Sequence, residues 1–327
     1  MSYTSRSELR SGTSVKQVRE VIDLLGYVRL DPGFRVPNMV ANYHWFDAQD
    51  YRSWSGVELQ IYDEEGQIAV ETRSTISRSY WDLDHQNRTI KLIRDLFGGT
   101  FETDAGKSRY LRPTGKPPLP ISSGCYLSRW RFENALGKAM IYRQSRDLRG
   151  SIAVNKPTGI PTLDEINPRL LSNNLLIPFV IAVWEEFFRS TFAVILKYSM
   201  ERERVLKKAS LSHSQLEQIA GNQRPLEQAI AECFSFQRPS KIAANFLLLN
   251  GRLDLGAAMK FPYRKRKLNL YQSIENLVEY RNAFVHSGET NPALYDDQLQ
   301  QILTDISEAV DRCYRAIASH YKFEALG

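Results

Sequence analysis

Two stretches near the front of the chain alternate apolar and polar residues with the period of an extended strand: VELQIYD (57–63) and QIAVETRST (67–75). The short EEG between them makes a hairpin of the pair. The period then lengthens. In WDLDHQNRTIKLIRDLFGG, Trp81, Ile90, Leu92, Ile93, Leu96 and Phe97 supply the apolar face of a helix that Gly98 and Gly99 end. TFETD and SRYLRP beyond the glycines each read as an extended piece. Two strands, a helix and one or two further strands define a small α+β unit. RPTGKPPLP (112–120) is a stiff break, and CYLSRWRFENALGKAMIYRQSR after it reads as a helix.

A second break, VNKPTGIPTLDEINP (154–168), has the mix of prolines, glycine and polar residues found in linkers and long ordered loops. Beyond it the strand pattern stops. The spacing predicts a long helix from about 169 to 208, with shorter ones in SHSQLEQIA, PLEQAIAECFSF and KIAANFLLLN. Ser240 is the expected N-cap of the last of these. Another helix ends at His286. The final one starts near Tyr295 and sets Leu299, Ile302, Ile306, Val310, Cys313 and Ile317 on one face. The expected fold class is an α+β N-terminal region, residues 1–155, followed by an all-α helical bundle, residues 156–327.

Composition narrows the function classes. The chain has 327 residues, 43% of them hydrophobic, and 43 Lys and Arg against 37 Asp and Glu leave a net charge of +6. That mild excess permits a polyanionic partner such as RNA without demanding one. Cys125, Cys233 and Cys313 lie far apart with no CxxC pairing, which points to a reducing compartment and away from a disulfide framework or zinc ribbon. The start, MSYTSRSELRSGTS, has no apolar signal core. LLIPFVIAVWEEFFRSTFAVIL is broken by Pro178, Glu185, Glu186 and Arg189, so it reads as a core helix rather than a membrane span. These features lead us to expect a cytoplasmic protein with no membrane partner. AGKS (105–108) lacks the glycine a P-loop needs at Phe101, which sets nucleotide hydrolysis aside. Asp82, Asp84 and His85 read as a helix start rather than metal ligands, so neither metal nor cofactor is expected.

The most informative stretch is LNLYQSIENLVEYRNAFVHSG. Leu270, Ile274, Leu277, Val278, Phe284 and Val285 recur on one helical face, and Gly288 supplies the stop. At roughly 100° per residue, Arg281 falls within about 20° of Leu270, inside the apolar stripe. Arginine is seldom buried unless paired. Asn282 follows it, and His286, four positions beyond Asn282, shares that residue's face. His286 lies about 140° round the helix from Arg281. It sits in the last turn, at the negative end of the helix dipole, and imidazole is the side chain suited to proton exchange near neutrality.

Arg281-Asn282-Ala283-Phe284-Val285-His286, near a helix end in an all-helical region, resembles the signature of the HEPN superfamily of bacterial and archaeal RNases. That signature is an arginine, four to six residues and a histidine, often with a polar residue directly after the arginine. The resemblance covers roughly residues 165–327 and is nearest to the RiboL-PSP-like HEPN group. AVWEEFF is similar to that family's first core helix, where an acidic residue supports the arginine. Residues 1–155 lie outside the resemblance and form an expected recognition or regulatory domain.

What the resemblance implies is metal-independent RNA cleavage. Such cleavage needs a base for the ribose 2′-OH, an acid for the leaving 5′-oxygen and a cation for the phosphoryl oxygens. His286 takes the acid/base role, Arg281 clamps the phosphate, and Asn282 orients the phosphate or His286. The products are a 2′,3′-cyclic phosphate and a 5′-OH. The resemblance also implies a homodimer through the helix at 268–286, in which two Arg/His pairs line one cleft and the Arg281 stripe faces the second subunit. Glu185, at the edge of its helix's apolar arc, is the carboxylate expected to hold Arg281; the alternative is an i,i+4 pair with Arg189. Just upstream, Tyr263, Arg264, Lys265, Arg266 and Lys267 form a basic run suited to steering RNA, with Tyr263 stacking on a base; a solvated loop is the alternative. Family habit implies a toxin–antitoxin or antiviral defence role with an antitoxin or sensor partner. The competing readings are a non-catalytic module that binds RNA, a nucleotide or a protein, and a plain dimerisation domain.

Overall fold

The computed structural model describes residues 2–31, 33, 36–148, 155–160, 163–164 and 166–325. The chain divides into two compact units, Met1–Ser123 and Gly124–Gly327.

The first unit holds strands β1 (Tyr3–Glu8), β2 (Val28–Leu30), β3 (Met39–Trp45), β4 (Val57–Glu64), β5 (Gln67–Ser74), β6 (Thr100–Thr103) and β7 (Gly106–Lys107). They form one seven-stranded sheet in the order β2-β3-β4-β5-β1-β6-β7, and every pairing is antiparallel. Helices α1 (Val15–Leu24) and α2 (Tyr80–Phe97) supply Val18, Ile22 and Ile93 to a core shared with Tyr43, Leu59, Ile61 and Val70 of the sheet. The expected hairpin is β4–β5, in register Glu64↔Gln67. Glu65 (φ 56°) and Gly66 (φ 89°) both take the left-handed conformation that a two-residue hairpin turn matching the strand twist requires. SRYLRP contributes no strand of its own; only Gly106–Lys107 pairs with β6.

Strand β1 lies inside the sheet, between β5 and β6, yet its sequence YTSRSE has no apolar alternation. Its inward positions are Tyr3, Ser5 and Ser7, each 5% exposed or less. Ser5 is tolerated there because it is hydrogen-bonded: the Ser5 and Thr72 hydroxyls meet at 2.6 Å. The Gln86 amide of α2 donates to Tyr3 O at 3.2 Å and to Thr72 Oγ1 at 3.0 Å. Asp82 caps α2, as expected. Its Oδ2 accepts the backbone N–H groups of Ser79, Trp54 and Ser55 at 2.8, 3.1 and 3.2 Å.

The second unit is helical: α3 (Pro120–Leu148), α4 (Pro168–Tyr198), α5 (Glu203–Lys208), α6 (His213–Ala220), α7 (Leu226–Glu232), α8 (Pro239–Leu249), α9 (Leu255–Lys260), α10 (Leu270–Ser287) and α11 (Asp296–Tyr321). The units part at residue 123 rather than 155, because α3 packs with the later helices. Phe132 meets Phe187 at 5.6 Å, and Arg129 pairs with Asp311 at 3.3 Å. The expected helix 169–208 is two helices, since Ser199 turns extended (ψ 137°) after Tyr198. Ser240 is not a cap either. Arg238 is the N-cap residue, Pro239 opens α8, and the Ser240 N–H donates to Glu275 at 2.8 Å.

The core of this unit is aromatic. Trp184, Phe187, Phe188 and Phe192 of α4 are at most 1% exposed; Trp184 and Phe187 pack edge-on against Phe188, Phe188 and Phe192 meet Phe246 edge-on, and Phe192 meets Phe236 tilted. Each such side chain stabilises the fold by about 1.5–3 kcal/mol through burial. Pro178 sits inside α4 without ending it. Among the described residues no helix is long and apolar enough to cross a membrane.

Candidate functional site

Helix α10 starts at Asn269, whose Oδ1 accepts the Gln272 N–H at 2.9 Å while the Gln272 side chain accepts the Asn269 N–H at 3.3 Å, a reciprocal cap. It ends at Gly288, φ 70°, which donates to Phe284 O at 3.0 Å. Leu270, Ile274, Leu277 and Val278 are buried as the spacing predicts. Burial then stops. From Glu279 to Ser287 no side chain is fully buried, and Tyr280 (52%) and Val285 (46%) are exposed.

Arg281 stands in this last stretch, half-buried. Its Nη1 donates to Asn282 Oδ1 at 3.0 Å, while its Nε is buried and has no hydrogen-bond partner. Among the described residues no carboxylate lies within ion-pair distance of it. His286 is exposed in the final turn, its ring free of hydrogen-bond partners among the described residues. Helical geometry sets it about 7.5 Å along the axis from Arg281. Among the described residues Arg281 is joined to Asn282, and no hydrogen bond links either of them to His286.

Glu185 does not hold Arg281. It accepts from Arg189 at 2.8 Å, the i,i+4 alternative, and Glu186 takes the same guanidinium at 2.9 Å. In the basic run, three guanidiniums surround the Tyr263 ring: Arg264 at 5.0 Å, Arg266 at 5.2 Å and Arg312 at 5.1 Å. With these neighbours, Tyr263 gathers cations by cation–π attraction rather than offering open faces to a base. Arg266 is neutralised by Asp305 at 2.7 Å, and Arg312 donates to the carbonyls of Phe261 and Pro262. Arg264, Lys265 and Lys267 remain exposed.

A set of residues that periodicity did not single out lies where the start of α4 meets the connection between α10 and α11. Asp296, 2% exposed, accepts from Arg169 at 2.6 Å, Arg146 at 2.9 Å and Asn173 at 3.0 Å. Burial opposes its charge, but the Asn173 and Arg169 hydrogen bonds and the two guanidinium charges outweigh it and hold the carboxyl below the usual carboxylate range. Asn174 binds the backbone of Asn291. The signal in the sequence is the polar pair inside LLSNNLLIPF, an interruption of an apolar run. Tyr280 and Phe284 of α10 line a small space with Asn174, Ile177, Asn291 and Leu294.

The open face of the sheet forms a concavity of about 1000 Å³ that includes Arg6, Glu58, Glu71, Arg73 and Glu102. Its charges largely answer one another, with Arg6 held by Glu64 and Glu71 at 2.7 Å each. Among the described residues no group of three or more His, Cys, Asp or Glu is placed to hold a metal ion. Compared with known proteins, the chain matches no family model, no curated protein and no solved structure.

Proposed function

We propose that this chain is a metal-independent endoribonuclease of HEPN type that cleaves RNA by 2′-OH attack in a composite homodimer site. Arg281 clamps the phosphate, His286 exchanges the proton, and Asn282 orients the guanidinium it already touches. Arg264, Lys265 and Lys267 steer the RNA backbone electrostatically, with Arg266 and Tyr263 as the loop's internal support. The observation that carries this reading is a half-buried guanidinium answered by an amide rather than a carboxylate. A core arginine with a purely structural role is expected to be neutralised. One that must take a phosphate is left with its charge unneutralised. The overhanging, partly apolar end of α10 is the face assigned to a second subunit, which supplies the other Arg/His pair. The setting we infer is a cytoplasmic toxin or anti-phage effector restrained by an antitoxin or by a sensing partner.

A second reading is favoured by the His286 ring, which has no orienting partner among the described residues: a non-catalytic module that binds RNA, a nucleotide or a protein. One experiment separates them. Purified protein is incubated with mixed RNA in EDTA and the fragment ends are mapped. The nuclease reading expects 2′,3′-cyclic phosphate ends and a loss of roughly 10²–10⁴-fold in rate with His286→Ala. Intact RNA overturns the nuclease reading, and RNA binding that His286→Ala leaves unchanged, with no cleavage, supports the module instead.

A further inference from the structure

The turn that carries Arg281, Asn282 and His286 projects past the last buried residue of its helix, Val278. A helix end with so little burial is prone to local opening, because few apolar contacts oppose it. The chain then runs through the connection from Glu289 to Tyr295, and two asparagines of α4 fasten that connection. Asn174, 3% exposed, donates from Nδ2 to Asn291 O at 3.2 Å and accepts the Asn291 N–H on Oδ1 at 2.8 Å. Its amide thus docks on one residue's backbone as a neighbouring strand does, satisfying donor and acceptor together. The same Nδ2 donates to Leu170 O at 2.9 Å, which fixes the side chain's own direction. Asn173, 0% exposed, donates to Leu294 O at 2.9 Å and to Asp296 Oδ1 at 3.0 Å. Buried amides are unfavourable unless hydrogen-bonded. Here the bonds that offset this go to the loop, so the loop conformation and the asparagines specify each other.

We propose that Asn174 is a positioning residue that keeps the overhanging turn ordered and thereby sets where His286 stands relative to Arg281. Its consequence for rate rests on the nuclease reading above; the clamp itself rests on the hydrogen bonds to Asn291. Asn174 touches neither Arg281 nor His286. It acts through the connection: if Asn291 comes loose, the chain between Gly288 and Leu294 loses the anchor nearest the exposed last turn.

The test is amide hydrogen exchange on the full-length protein, comparing the wild type with Asn174→Leu and with Asn174→Ser, the milder change should the first fail to fold. The hydrogen-bonded amides of His286, Ser287, Gly288 and Asn291 are expected to exchange at least about tenfold faster. Those of Ile274 and Ile306 should keep their wild-type rates. In cleavage of a short single-stranded RNA, kcat should fall at least about tenfold with KM within about twofold. Asn174→Asp keeps the oxygen that accepts the Asn291 N–H but sets a carboxylate against the carbonyls of Leu170 and Asn291, so it should recover neither effect. Uniform acceleration of every amide, or no change at 286–291, overturns the proposal. If the wild type cleaves no RNA, the nuclease reading falls, and the exchange pattern still decides the clamp.

Discussion

Two arginines interrupt the apolar faces of the helical unit, one in the first turn of α4 and one near the end of α10, and they differ in what answers the charge. Arg169, 8% exposed, meets Asp296 at 2.6 Å, and Arg146 shares the same carboxylate at 2.9 Å. Among the described residues, Arg281 hydrogen-bonds only the Asn282 amide. Taking a guanidinium out of water costs several kcal/mol, which a hydrogen-bonded counter-charge offsets. At Arg169 the fold supplies that counter-charge from within. At Arg281 it supplies a half-open position and a neutral neighbour, and among the described residues no counter-charge. On the proposed nuclease reading, the contrast separates an arginine that belongs to the fold from one that belongs to a site, although both break an apolar stripe in the same way.

The comparison is broken most severely at its structural end. Asp296→Asn leaves Arg146 and Arg169 without their shared counter-charge, and we expect a loss of about 3–5 kcal/mol in unfolding free energy, read by urea denaturation. The pH dependence has a fixed sign. Because the folded-state carboxyl lies below its usual range, its contribution is fully present above about pH 4 and disappears as pH falls through the lowered folded value. Wild-type stability should therefore drop on the acid side, and Asp296→Asn should flatten that limb. A variant as stable as the wild type with an unchanged acid limb would mean that Asp296 holds nothing together.

How much of this is legible in the sequence depends on what each residue does locally. The hairpin at 57–74, the helix at 80–97 and α10 with its glycine stop are readable because period and turn chemistry are short-range properties. Strand β1 is not, since its inward face is built of Ser5 and Ser7 and depends on Thr72 and Gln86, far along the chain. The unit boundary falls earlier than expected because α3 looks like a linker's neighbour in sequence, and contacts such as Phe132 against Phe187 and Arg129 with Asp311 show where it packs. At the site, the position of Arg281 on an apolar stripe is visible, and so is the choice between two partners for Glu185. The Asp296 network is not. It joins Arg146, Arg169 and Asn173 to a residue more than a hundred positions away, and no local pattern encodes that contact.

The middle of the scale is Arg281 itself. Arg281→Gln breaks no ion pair and removes a partly exposed side chain, so its effect on unfolding free energy should be about 1 kcal/mol or less. On the proposed nuclease reading, RNA cleavage should collapse all the same, since glutamine carries no charge to stabilise a phosphoryl oxygen. Measured side by side with Asp296→Asn, this variant sharpens the contrast: large stability loss in one, large activity loss in the other. If Arg281→Gln melts as early as Asp296→Asn, the two arginines are alike and the site reading loses its support.

The smallest effect is expected at Glu185. Its pair with Arg189 joins side chains 26% and 31% exposed on one helix, a geometry that stabilises by about 0.2–1 kcal/mol. Glu185→Gln should therefore shift the urea midpoint only slightly. The shift should shrink further in about 1 M salt, where charges more than about 3 Å apart are screened. Arg189 keeps Glu186 as a second partner at 2.9 Å, which limits the loss again. RNA cleavage should be unchanged, because this carboxylate is engaged on its own helix and does not reach the α10 guanidinium. A sharp fall in cleavage without a change in stability would say the opposite: that Glu185 leaves Arg189 in the working assembly, and that Arg281 acquires a counter-charge after all.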